Sequence, residues 1–276
     1  MISQLEITTG FKNGKSYLKD TFFTVPYHIV NVGQYENDNS LYLMMTSSSP
    51  GILDRDEYHI AIKVVSESRL QLRTQSYQRL FNMKKGSSQK MQVDLEGDSA
   101  FSFVSHPIVP HENAKFKNHN IFTLKENCLL TMSEIITCGR KHSGEVFRFS
   151  HFQNITEVYY RGRLILKDNV LLAPLLAPLN TVVQLETYTH QGALIHVHTG
   201  GRPLGNYIMR IQEIFEKQRD ILFGISEMAA NGFVLRVLGN GAEQLFDCFK
   251  RVEKLLWEKS IQEESQEENM KQMIGK

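Results

Sequence analysis

Three stretches of the chain repeat one pattern: an apolar-x-apolar pair, a short polar turn, then a second such pair. The first uses Ile62, Val64, Leu70 and Leu72, the second Val93, Leu95, Phe101 and Phe103, and the third Phe122, Leu124, Leu130 and Met132. Leu70, Phe101 and Leu130 recur at intervals of about 30 residues. Alternation with period two places each pair on one face of a strand. The turns SES (66–68), EGDS (96–99) and KEN (125–127) carry residues that favour tight reversal. A unit of this size has no second face against which to bury its apolar residues, so it must stack on its neighbours. Residues 60 to 136 are therefore expected to form successive layers of a β-helix-like or two-layer sheet stack.

The strand pattern continues through Val146 to Phe149, Glu157 to Tyr160 and Leu164 to Leu166, with a turn at Arg161–Gly162–Arg163. VVQLETYTH (182–190) and ALIHVH (193–198) add alternating segments. The period then changes. Tyr207, Ile208, Ile211, Ile214 and Phe215 follow helical spacing from Asn206 to about Gln218. A β-pair follows, Ile221 to Ser226 and Gly232 to Leu238, turning at Asn231–Gly232. Asn240 is placed to cap a second helix, with Glu243 three residues on and Leu245, Phe249, Val252 and Leu256 as its buried stripe. The fold class expected is mostly β, stacked strands with two α-helices in the C-terminal third. No linker divides residues 1–257, which read as one domain. Residues 258–276, with Glu263, Glu264, Glu267 and Glu268, read as a polar acidic tail expected to be mobile.

Bulk properties remove several function classes. Lys and Arg total 31 against 30 Asp and Glu, a net charge of +1, which gives no general attraction to nucleic acid or an anionic membrane. Cys128, Cys138 and Cys248 form no CxxC spacing, which argues against a disulfide framework and suits a reducing compartment. The N-terminal segment lacks an apolar signal region, and the most apolar run, Val170 to Leu179, is too short to span a membrane and holds Pro174 and Pro178. A cytoplasmic protein is expected.

Enzyme motifs are missing: there is no GxSxG, HExxH, Walker A loop or dinucleotide fingerprint. Gly200, Gly201 and Gly205 make a Gly-rich turn before a helix rather than an anion cradle. A stacked β-solenoid raises the alternative of a carbohydrate-active enzyme, for which Glu134 and Asp56 are the available carboxylates. His196 and His198 lie two apart on a strand and share a face, either as metal ligands or as a polar strand surface. His106, His111 and His142 occupy loop positions where a surface histidine is the default. Asp54 and Asp56 would share a face if strand-like. Glu134 and Glu145 bracket Gly139–Arg140, either lining a wet passage for a dication or pairing with Arg140.

Five segments, taken together, resemble one family. DTFFTVPY (20–27), SSPGILDRDEY (48–58), LRTQSYQRLF (72–81), HPIVPHENAKF (106–116) and SEIITCGRKHSGEVFRF (133–149) occur in the order and spacing of the urease accessory proteins called UreD or UreH. The arrangement Glu134, Gly139, Arg140, Gly144, Glu145 is the most specific part. The likeness runs from about residue 17 to Trp257. Arg55 departs from it, because the family often shows Gly before the aspartate, and Arg79 stands where lysine is common. The resemblance implies stacked β-strands with two helices and no catalysis. It implies binding to UreF, recruitment through it of the GTPase UreG, docking on the urease apoprotein and transient passage of nickel. A higher-order complex holding two copies of the chain is implied as well. By motif position it puts Asp56, Glu134, Arg140 and Glu145 near a nickel passage or its structural supports. His196 and His198 fall in none of its motifs.

Overall fold

The computed structural model describes residues 1–33, 38–181, 184–201 and 204–274, from residue 259 onward through the backbone alone. Seventeen strands and two helices are found among them. The repeat explains the centre of the fold. β5 (Glu57–Val64), β8 (Ser87–Leu95), β11 (Lys115–Leu124) and β13 (His151–Tyr160) stack in parallel in a first sheet. β4 (Leu41–Ser47), β6 (Arg69–Thr74), β9 (Ala100–Val104) and β12 (Leu129–Thr137) stack in parallel in a second. Each turn of chain thus crosses from one sheet to the other. Two short strands, β7 (Gln78–Leu80) and β10 (Ile108–Pro110), pair in parallel on a third side. The layers are those of a β-solenoid.

The repeat positions fall in register. Ile62 faces Val93, Val93 faces Phe122, and Phe122 faces Val158 along the first sheet. Leu70, Phe101 and Leu130 form the matching row in the second. All are buried in one core between the sheets. Stacking like on like removes each apolar pair from water, which no single layer achieves. The polar turns stack too, and each holds one residue at positive φ: Glu67 (64°), Asp98 (60°) and Asn127 (54°). Glu67 N donates to Gly97 O and Asp98 N to Glu126 O, so each turn is tied to the next.

Antiparallel strands finish both sheets. β1 (Ile2–Lys12) joins β5 in parallel and carries β2 (Lys15–Phe23) at one edge of the first sheet, with β14 (Arg163–Leu172) at the other. β3 (Tyr27–Asn31) borders the second sheet, which continues on its far side as β15 (His190–His198), β17 (Gly232–Gly239) and β16 (Ile221–Met228). α1 (Gly205–Glu216) and α2 (Ala242–Ile274) cover the outer face of this sheet through a second core containing Ile211, Phe215, Leu245, Phe249, Val252 and Leu256. The expected helical stripe is therefore the packed one. α2 continues through the acidic tail segment to Ile274.

Three local expectations fail. Val146 to Phe149 is no strand, because Phe147 adopts φ 55° to let Phe149 into the core. In 182–190, Val182 and Val183 lie outside the described residues, 184–187 turn, and only His190 begins a strand. Asn240 does not cap α2: its Oδ1 accepts from Thr189 N and Thr189 Oγ1 (3.1 and 3.0 Å), and the helix starts two residues later.

Candidate functional site

The core between the sheets is not apolar throughout. On β11 the inward positions read Phe116, Asn118, Asn120, Phe122, Leu124, so two asparagines occupy places where the alternation calls for apolar side chains. On β13, Asn154 and Thr156 lie opposite them. Asn118 Nδ2 donates to Asn154 Oδ1 (2.9 Å), as does Asn120 Nδ2 (3.0 Å). Gln89 on β8 donates to Asn118 (3.3 Å), and Gln78 donates to Gln89 (3.2 Å). Buried amides persist only when they satisfy one another, and this ladder does so.

Glu134 enters the same space from the second sheet. Its neighbours Leu130, Met132 and Ile136 all face the inter-sheet core, and Asn118 Nδ2 lies 3.4 Å from Glu134 Oε2. A cavity of about 140 Å³ opens here, lined by Glu134, Asn118, Asn120, Gln89 and Gln78, and it reaches a rim that includes Ser49, Gln75 and Tyr77. Glu134 borders this cavity yet lies deep between the sheets. Burial pushes its carboxyl up to about 8, the Asn118 amide opposes the shift, and the Asp168 carboxylate adds to it. At neutral pH the group is mostly protonated.

The polar level extends to the far edge of the fold. In the first sheet Asn120, Thr156 and Asp168 lie side by side, and in the second Glu134, Ala193 and Arg236 do. Arg236 Nη2 donates to Asp168 Oδ1 at 2.8 Å and joins the sheets across their open edge.

The other motif residues sit elsewhere. Glu145 pairs with Arg140 through two hydrogen bonds, Arg140 Nε to Oε2 (2.9 Å) and Nη2 to Oε1, and Glu145 also accepts from Glu112 N. That pair holds the carboxyl of Glu145 below its usual range. It closes a surface loop whose Gly139 has φ 114° and no room for a Cβ, which would lie 2.8 Å from Glu145 O and 2.9 Å from Pro110 O. Glu134 is not the partner of Arg140. Asp56 is buried at a turn, where its Oδ2 accepts from Leu53 N (3.0 Å) and the Tyr58 hydroxyl (3.3 Å). Asp54 Oδ1 accepts from Lys85 N and Gly86 N, so the two aspartates tie loops instead of sharing a strand face. Of the four motif residues, Glu134 alone lines the cavity.

His196 and His198 are both buried on the outer face of the second sheet, opposite to Glu134. His196 Nδ1 and Thr131 Oγ1 share a hydrogen bond of 2.9 Å, and burial then the His198 charge push His196 down to about 3. Among the described residues, no group of three His, Cys, Asp or Glu is arranged to hold a metal ion. Loop position misjudges two other histidines. His106 is half-buried beside Phe246 (ring centroids 4.3 Å apart) and His111 is buried beside Phe81 (4.8 Å), whereas His142 is exposed. The amide ladder is missed by motif search, although asparagines at inward positions of KFKNHNIFTL mark it.

A β-solenoid with a polar cavity, one cavity-facing carboxyl among the described lining residues and two helices on one face has the build of a scaffold. The model of the family described as UreD urease accessory protein matches residues 2–272. A urease accessory protein UreD of Flavobacterium johnsoniae is 54% identical over 257 residues, covering 93% of each chain. One from Haemophilus influenzae is 30% identical over 268 residues (93% of this chain, 99% of the other), and one from Actinobacillus pleuropneumoniae is 29% identical over 263 (93% and 97%). The chain belongs to the UreD family of urease accessory proteins. Its role lies in urease maturation, and the family is one of accessory proteins, not catalysts. No helix among the described residues is long and apolar enough to cross a membrane.

Proposed function

We propose that the chain is the cytoplasmic scaffold that helps nickel reach apo-urease, binding UreF and through it UreG, in an assembly with two copies of the chain. The observation that carries this reading is the polar level inside the core. Asn118, Asn120, Asn154 and Glu134 offer amide and carboxyl oxygens where packing alone would demand apolar side chains. Such hard oxygen donors bind nickel weakly compared with imidazole or thiolate, so the ion is handed on. Glu134 supplies the one carboxyl on the described cavity wall, and loss of its proton to solvent leaves a carboxylate to attract the dication. Arg140, Glu145 and Asp56 act as supports, because their oxygens and nitrogens are committed to loop closure.

A carbohydrate-active site has less support. Glycoside hydrolysis needs two facing carboxyl groups, and Glu134 is the one acid among the described lining residues.

The test is Glu134→Gln, which preserves shape and removes the ionisable group. Co-purification with UreF and UreG is expected to persist, while the nickel content of urease matured with the variant falls several-fold. Full nickel content would remove Glu134 from the passage, and loss of the complex would assign it a structural role.

A further inference from the structure

Three of the segments that carry the family likeness converge on one edge of the solenoid. Arg55 N donates to Gly86 O, Met83 N to Asn113 O, and Asn113 N to Arg148 O, so the turns near residues 55, 85, 113 and 148 stack on one another. Glu112 N donates to Glu145, which joins the Gly139–Glu145 loop to the same edge. Arg55, Arg79, Lys84, Lys85 and Lys141 project from it, all exposed. None of the five has a carboxylate within ion-pair distance among the described residues. Of the nearby acids, Glu145 pairs with Arg140 and Glu112 with Arg148 at 3.8 Å, while Asp54, held by two backbone amides, keeps its charge beside Arg55. In a chain whose net charge is +1, five cations against that one carboxylate give this edge an excess of positive charge.

Two further observations separate this edge from an ordinary solvated face. Leu53 and Val146 stand exposed among the cations. Beneath them His111 is buried against Phe81 with its Nε2 lacking a hydrogen-bond partner among the described residues. The backbone also turns through positive φ here, 68° at Arg55, 60° at Asn113, 114° at Gly139 and 55° at Phe147.

We infer that this edge is a docking surface for a protein partner that presents a carboxylate-rich face with apolar residues among the acids. Cations steer and register such a face, and Leu53 and Val146 supply apolar contact that a phosphate backbone would not use. This inference stands apart from the nickel passage, since Glu134 takes no part in it.

The probe is a fluorescein-labelled peptide of five Glu-Glu-Leu repeats, followed by anisotropy at low ionic strength with the full chain. Lys84→Glu with Lys85→Glu is expected to weaken binding at least tenfold. Lys250→Glu with Lys254→Glu, on exposed positions of α2, serves as the charge-matched control and is expected to stay within twofold of wild type. Leu53→Ser with Val146→Ser is expected to weaken binding several-fold without changing the double-lysine effect. Melting curves for each variant establish that it folds. Absence of binding to wild type, equal losses in both lysine pairs, or tighter binding of a duplex DNA of similar charge would overturn the proposal.

Discussion

Asn118 and Glu134 meet across the gap between the two sheets, the amide nitrogen 3.4 Å from the carboxyl oxygen. The contact brings a strand of each sheet into one polar level, where burial raises the one carboxyl among the cavity-lining residues and the Asn118 amide opposes that shift. Because this carboxyl lies deep between the sheets on the wall of the cavity, its charge affects both stability and whatever enters.

The first prediction follows from linkage. The Glu134 carboxyl is raised from 4.5 to about 8 on folding. Between those values the folded chain holds a proton that the unfolded chain has lost, so stability falls as pH rises from about 4.5 to 8 and then levels off. Glu134→Gln removes that slope. The variant is expected to melt above wild type at pH 8, by on the order of 2 kcal/mol, and close to it near pH 5. Thermal melts across this range check the point, and parallel curves for the two proteins would contradict it.

The loop after β12 supplies the second. Arg140–Glu145 is an ion pair with half of the arginine side chain in solvent, so solvent screening leaves it only a minor part in stability. Glu145→Gln is expected to shift the melting temperature little, and less still in high salt. Gly139→Ala forces a Cβ to within 3 Å of two carbonyl oxygens at φ 114°. Its cost is expected to exceed about 2 kcal/mol. Denaturant titration of the two variants tests the order, which a larger loss for Glu145→Gln would reverse.

A third prediction concerns the stacked polar turns. Asp98 and Asn127 suit positive φ, because short polar side chains tolerate the left-handed region, whereas Glu67 at 64° does not. Glu67→Asn is expected to stabilise the chain by about 0.5–1 kcal/mol. Chemical denaturation measures the gain, and a loss would show that the Glu67 side chain does something its turn position does not reveal.

These cases show which features were legible in the sequence. The repeat placed Ile62, Val93 and Phe122 on one row, and α1 and the start of α2 came out within a few residues, because period and burial follow directly from alternation; α2 runs past its expected end at Trp257 to Ile274. Topology was not legible: whether layers close as a solenoid or a sandwich depends on parallel pairing between residues some 30 positions apart. The polar level was only partly legible. Glu134 stood out through its motif, but its partner Asn118 lies on another strand, and local sequence says nothing about which strands face each other across a core. Asn240 misled for a related reason, since its best hydrogen bonds lie with Thr189, 51 residues away.

The tail gives the last prediction. α2 runs to Ile274, and Trp257 anchors it to the body, buried with its Nε1 donating to the Tyr42 hydroxyl at 3.0 Å and Arg69 over its ring. Beyond that point the sequence turns acidic, and Glu263, Glu264, Glu267 and Glu268 leave no apolar stripe to bury. A helical segment with no apolar stripe adds little beyond its local propensity, which is marginal in water. Truncation after Ser260 is therefore expected to leave the melting temperature within about 2 °C of wild type, roughly 0.5 kcal/mol or less at this chain length. Trp257→Ala, in contrast, removes a buried ring with its hydrogen bond and cation contact, and is expected to cost about 3–5 kcal/mol. Calorimetry on the two variants separates the packed part of α2 from the rest. A drop of many degrees on truncation would show that the acidic segment packs against the body of the protein.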